Sequence, residues 1–257
     1  MNRDESCSRP TASACWEGNL VGGWDRQPGR EGGTWLAMDR KGRIGFLTNI
    51  YTGGEIDKNA AGRGHIITDF LKSEYTAKDY ISELSQSKTL YNPFNLVLLE
   101  QDDKGYYSAW RYTRGKEGHT ENFGPQEEMS GTFGVSNHPQ HQPYLKSMWG
   151  KKELGDIDAE LCSEELLEKL EKIMTNNTVR WPDPQIICQS RTDANNTGPF
   201  AKYGENLSSV FVTVPKENYQ TRTTSMILVD TENNVVFKEK NWEGEKTCSS
   251  MNFKIEK

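Results

Sequence analysis

The longest apolar run in the chain is Phe94-Asn95-Leu96-Val97-Leu98-Leu99. A helix that crosses a membrane needs roughly 18 or more apolar residues, so no stretch of this sequence is one. A short continuous run is what a strand covered on both faces requires. The 257 residues suffice for one large domain or two small ones with a sizeable core. Leu, Ile, Val and Phe make up only about 19% of them, near the level at which disorder becomes a concern. Disordered chains, however, combine low hydrophobicity with few aromatics and high net charge. Here there are 7 Trp, 10 Tyr and 9 Phe, and the formal net charge is −6, so a folded protein is expected.

The balance of 31 Lys+Arg against 37 Asp+Glu, without a basic block, argues against a dedicated nucleic-acid binder. The five cysteines, Cys7, Cys15, Cys162, Cys188 and Cys248, are scattered and contain no CxxC pair. Reduced thiols are expected, rather than a zinc knuckle or a disulfide scaffold. The chain starts Met1-Asn2-Arg3-Asp4-Glu5 with no apolar region behind it, so no secretory leader is expected and the location reads as cytoplasmic.

Residues 1–33 are polar and Gly-rich and read as loops carrying Trp16 and Trp24. Residues 34–38 and 44–48 flank Asp39-Arg40-Lys41-Gly42, whose glycine suits positive φ, and predict a hairpin. The spacing of Ile66, Ile67, Phe70 and Leu71, and of Tyr80, Ile81 and Leu84, predicts helices over 64–73 and 77–86. A second hairpin is expected from 94–100 and 106–112, and a short strand over 132–136. Helices follow at 143–152 and behind an N-cap at Ser163, the latter with the apolar stripe Leu166, Leu167, Leu170, Ile173 and Met174. Residues 175–206 read as loop, and 207–214, 224–230, 235–239 and 250–255 as strands. Hairpins early, helices in the middle and hairpins late make an α+β chain, read as a single domain over 1–257.

Few residues stand out chemically. Arg3-Asp4 reads, on composition, as a solvated turn. Gly32-Gly33-Thr34-Trp35 is either a close-approach loop or a hairpin lead-in, and no phosphate loop follows it. Pro139 prevents a regular helix from presenting both His138 and His141, so no metal site is expected. There is no GxSxG elbow. Arg222, ahead of an apolar strand, could meet an anionic group but reads more readily as structural.

The ordered set of motifs resembles the transport and Golgi organization 2 family, also called NRDE-domain proteins. It comprises Asn2-Arg3-Asp4-Glu5, Ser8-Arg9-Pro10, Gly22-Gly23-Trp24-Asp25, Glu31-Gly32-Gly33-Thr34-Trp35-Leu36-Ala37, Leu47-Thr48-Asn49 and Gly62-Arg63-Gly64. Further on come Tyr91-Asn92-Pro93-Phe94-Asn95-Leu96, Gly131-Thr132-Phe133-Gly134-Val135-Ser136-Asn137, Tyr219-Gln220-Thr221-Arg222-Thr223 and Ile227-Leu228-Val229-Asp230.

That resemblance implies an αββα four-layer sandwich like that of N-terminal-nucleophile hydrolases. It also implies a role in Golgi organisation and protein secretion, Golgi or mitochondrial association, peripheral rather than transmembrane membrane contact, and handling of an acyl-CoA lipid or haem, with no resident cofactor. By analogy with the cysteine branch of that superfamily, Arg3 would favour a thiolate, Asp4 would orient an α-amine, Asn137 would donate to an oxyanion and Arg222 would supply a supporting charge. Family members carry a Met-Cys strand ahead of the NRDE signature, whereas here Met1 directly precedes Asn2. The expectation is therefore a protein without amidase activity as written, the alternative being a cysteine amide hydrolase whose nucleophile strand is missing from the sequence.

Overall fold

A computed structural model describes residues 1–51, 56–115, 131–139, 142–158, 160–191 and 198–256, and the backbone alone of 123–128. It is a mixed protein with two antiparallel sheets, each with its own helices. Its contacts divide it into two compact units. One comprises Met1–Arg9, Thr132–Val135 and Gln142–Phe253; the other comprises Pro10–Gly131, Ser136–His141 and Lys254–Lys257.

The second unit is a meander. Strands β2 (Thr11–Glu17), β3 (Leu20–Asp25), β4 (Leu36–Asp39), β5 (Ile44–Asn49), β6 (Phe94–Gln101), β7 (Tyr107–Arg114) and β8 (Phe123–Glu128) pair in sequence order. Helices α1 (Gly64–Lys72) and α2 (Ala77–Gln86) sit where the apolar spacing placed them. Ile66, Ile67, Phe70, Leu71, Ile81 and Leu84 pack with Phe94, Leu96, Leu98 and Tyr112 into the core. Asn95 and Val97 are fully buried as well, so β6 is covered on both faces as its apolar run requires. The first hairpin turns at Gly42, φ 89°. Its Arg43 reaches across to α1, donating to the carbonyls of Ser73 at 2.8 Å and Leu71 at 2.7 Å while pairing with Asp39 at 2.7 Å. A cation here satisfies carbonyls that the helix end leaves open.

Gly33 and Gly64 settle the earlier alternative in favour of close approach. A Cβ on Gly64 would lie 2.9 Å from the backbone nitrogen of Thr34, and one on Gly33 would lie 3.3 Å from the Cα of Gly64. Gly33 and Gly64 thus let two backbones touch. The Thr34 amide then donates to the Gly64 carbonyl at 3.2 Å.

The first unit holds a five-stranded sheet ordered β1 (Asn2–Ser6), β10 (Tyr219–Val229), β11 (Asn234–Asn241), β12 (Cys248–Lys254), with β9 (Thr213–Val214) also on β10. Its helices are α3 (Leu145–Gly155), α4 (Ser163–Met174), α5 (Pro184–Ser190) and α6 (Pro199–Leu207).

Several expectations are corrected. Residues 1–33 are not loops but contain three strands; β1 has no hydrophobic period because its partners are hydroxyls and amides. Residues 132–136 form no ladder. The 175–206 tract contains α5 and α6, both started by proline, a residue read too readily as a breaker. The cap of α4 is Cys162, whose amide donates to Glu165 at 3.2 Å, and only Leu167 of the apolar stripe is fully buried.

Candidate functional site

The NRDE segment is a strand because β10 offers it a matching polar face. Thr224 donates to Asn2 Oδ1 at 2.8 Å, and Asn2 Nδ2 donates to the carbonyls of Met174 at 2.7 Å and Val210 at 3.0 Å. Both of its amide protons and one acceptor position are therefore used within the protein, and one asparagine ties β1 to the end of α4. Arg3 pairs in register with Thr223 and Asp4 with Thr221, so Arg222 is the extra residue of a bulge. A bulge breaks side-chain alternation and re-aims the residues beside it.

Asp4 Oδ1 accepts from the Thr221 hydroxyl at 2.6 Å, and the Asp4 carbonyl accepts from the Tyr219 hydroxyl at 3.1 Å. Burial pushes the Asp4 carboxyl up, and Glu5 adds to this, while Lys146 and the Thr221 hydrogen bond hold it down. Burial likewise pushes the Lys146 ammonium down, against the attraction of Asp4 and Asp183. Lys146 is in the first turn of α3 and is buried. Its place there is fixed by Asp183, a fully buried carboxylate that accepts from Leu145 N–H at 2.7 Å and from Gln185 and Ile186 N–H at 2.9 and 3.3 Å. One side chain thus caps the starts of both α3 and α5. Tyr144, buried immediately ahead of α3, donates to Gln189.

Arg3 is buried too, and is not the solvated turn its composition implied. Glu5 faces it at 3.8 Å and faces Arg9 at 3.6 Å. Arg222 is a staple. Its guanidinium donates to Glu243 at 2.6 Å and to the carbonyls of Ser6 at 3.1 Å and Arg9 at 2.6 Å, so it closes the turn that follows β1. Cys7, the nearest cysteine, has its thiol pushed up, first by burial and then by Glu243, against Arg222. That favours an inert thiol over a thiolate.

Asn137 belongs to the other unit. Its side-chain amide donates to the Asn49 carbonyl at 2.9 Å. His138 is buried and its carbonyl accepts from Asn95 at 2.8 Å; His141 lies outside the described residues. The first unit therefore brings together Arg3 and Asp4, and adds Lys146, Thr221 and Asp183, which sequence reasoning missed. A lysine in the first turn of a helix, directly after Tyr144 and Leu145, was the available signal. In α3 the lysine is buried while Met148 is 54% exposed, an inversion of the usual pattern.

The family model described as Transport and Golgi organisation 2 matches residues 1–244. The chain is 33% identical over 250 residues to a transport and Golgi organization protein 2 homolog of Bos taurus, covering 95% of this chain and 85% of the relative. It is 32% identical to the Homo sapiens homolog over 248 residues, covering 93% and 84%. The Drosophila melanogaster transport and Golgi organization protein 2 is 32% identical over 255 residues, covering 95% and 85%. Among solved structures, a variant of conjugated bile acid hydrolase from Clostridium perfringens aligns over 100% of this chain and 93% of its own, at 8% identity and a TM-score of 0.47.

Proposed function

Because the chain belongs to the transport and Golgi organisation 2 family, we propose that it serves Golgi organisation and protein secretion, and does so by binding an acyl-CoA lipid at the Arg3–Asp4–Lys146 corner. The observation that supports this is the burial of two cations, Arg3 and Lys146, in the unit that carries Asp4, with Glu5 facing Arg3 at 3.8 Å and Asp4 and Asp183 attracting Lys146. Burying such charges is costly, and a purely structural corner would be as stable with apolar residues. Cations held out of water are suited to an anionic ligand, since the low dielectric strengthens attraction. The proposed setting is cytoplasmic, with peripheral Golgi or mitochondrial contact. Among the described residues no helix is long and apolar enough to cross a membrane.

The test is a titration with a long-chain acyl-CoA, followed by tryptophan fluorescence, with haemin in a parallel arm. Saturation at micromolar acyl-CoA supports the reading, saturation by haemin alone redirects it to haem, and no saturable change in either arm removes it.

A second reading uses the same corner for cysteine amide hydrolysis. The bulge between Arg3 and Asp4 favours it, because bulges recur beside active sites. Arg3 would favour a thiolate, Asp4 would orient an amine, and Arg222 would add a supporting charge. Cys7 does not fit the nucleophile's role, its thiol being held protonated. Assaying this chain beside one extended by a Met-Cys strand ahead of Asn2 tests it. Cysteine-dependent amide cleavage by the extended protein supports hydrolysis, and none excludes it.

A further inference from the structure

Three motifs that lie far apart in the sequence meet at one buried amide. Asn95 is fully buried within β6. Its Nδ2 donates to the carbonyls of Ser136 at 3.0 Å and His138 at 2.8 Å, with Thr48 Oγ1 a longer third neighbour at 3.3 Å. Its Oδ1 accepts from the Thr113 hydroxyl at 2.8 Å. An amide nitrogen has two protons, so the two shorter contacts define its work. They fall on the carbonyls either side of Asn137. The Thr48 hydroxyl reinforces the clamp by donating to the Ser136 carbonyl at 2.7 Å. With its flanks held, Asn137 turns its side chain to the Asn49 carbonyl at 2.9 Å, and its own carbonyl accepts from Tyr51 N–H at 3.4 Å.

We propose that Asn95 is a positioning residue for Asn137, clamping Ser136 and His138 to the ends of β5 and β6 so that the Asn137 amide is presented in one fixed orientation. The resemblance gives Asn137 the role of oxyanion donor, and the proposal concerns how its side chain is held, whichever ligand the protein binds. An asparagine inside an apolar strand is otherwise hard to account for. Burying an amide costs stability unless each of its bonds is made, and residues 136–139, without a ladder of their own, gain their order from it. The two carbonyls can only accept, so they fix which end of the amide faces the clamp, and the Thr113 hydroxyl satisfies the remaining Oδ1.

Two nearly isosteric variants separate this role from a general contribution to the core. Asn95→Asp keeps an acceptor for Thr113 but sets an oxygen against the two carbonyls. Thr113→Val removes the Thr113 bond and leaves both donors in place. Hydrogen exchange of the Tyr51 backbone amide and of the Asn137 side-chain amide is read by nuclear magnetic resonance, beside a thermal melt of each protein. The expected result is exchange about tenfold faster or more at both amides in Asn95→Asp, the scale of losing one ordinary hydrogen bond, and little change in Thr113→Val. Equal acceleration in the two variants, or none in Asn95→Asp, overturns the proposal. If Asn95→Asp does not fold, Thr48→Val, which removes the second donor to Ser136, is read against Thr113→Val in the same way. Acyl-CoA titration of the same proteins is a separate arm. Wild-type protein that does not bind defeats the ligand reading, while the exchange data still decide what Asn95 positions.

Discussion

The Thr221 hydroxyl donates to Asp4 Oδ1 at 2.6 Å while its oxygen accepts from Val212 N–H at 2.9 Å. The second bond fixes the hydroxyl, so its proton is committed to the carboxylate. Asp4 therefore sits where burial favours the neutral acid and where Thr221 and Lys146 favour the anion. That opposition at the head of the NRDE motif is what distinguishes the corner from a surface turn.

Asp4 and Lys146 are expected to be coupled in stability. Lys146→Met leaves the Asp4 carboxylate without its nearby cation and should cost about 2 kcal/mol, whereas Asp4→Asn with Lys146→Met should recover at least about 1 kcal/mol of the summed single losses. Urea unfolding of the four proteins checks this. Strictly additive losses would show that the two charges do not interact.

The pH dependence follows from the directions of the shifts. Asp4 is raised above its ordinary 3.8, so the folded state binds its proton more readily than the unfolded chain. Asp4 alone then makes stability fall as pH rises from 3.8 to the folded value. Lys146 is lowered from its ordinary 10.5, so the folded state holds its proton less readily, and stability rises with pH from the folded value up to 10.5. Asp4→Asn should remove the acid-side slope and Lys146→Met the alkaline one. Unfolding free energies measured across both windows check each sign.

Arg222→Gln should destabilise by about 2 kcal/mol, because Glu243 and the carbonyls of Ser6 and Arg9 lose charge-assisted donors. Thermal unfolding checks it. A change under about 0.5 kcal/mol would show that the staple is not needed to close the turn after β1.

Gly64→Ala should cost about 2 kcal/mol, since its Cβ meets the backbone nitrogen of Thr34 at 2.9 Å and neither backbone can retreat alone. The control is Gly150→Ala, a helical position with open space, where little loss or a small gain is expected. Equal effects at the two sites would contradict close approach as the reason for the glycine motif.

How far the sequence could be read depended on where the stabilising contacts come from. Helices α1 and α2 and strands β5 to β7 were legible because their apolar periods are also the core contacts of Ile66, Phe70, Ile81, Leu96 and Leu98. Strand β1 was not, because what makes Asn2–Ser6 extended is pairing with residues more than 200 positions away. Arg3 and Asp4 were identifiable only through the family motif. Asp183 was hidden for a similar reason: it caps α5 locally but also caps α3 from 38 residues away. Lys146 had no partner in its own sequence neighbourhood, and the carboxylates that act on it come from β1 and from the start of α5.

The most direct test of the central claim is acyl-CoA affinity measured in wild-type protein and in Arg3→Gln and Lys146→Met, at low and at physiological salt. If the buried cations hold the ligand, wild-type protein binds saturably at micromolar concentration. Each substitution then weakens binding by about tenfold or more, the scale of one charge-assisted hydrogen bond, and added salt has little effect on so buried a site. Affinity unchanged in both variants, provided each retains its fold, would contradict the claim.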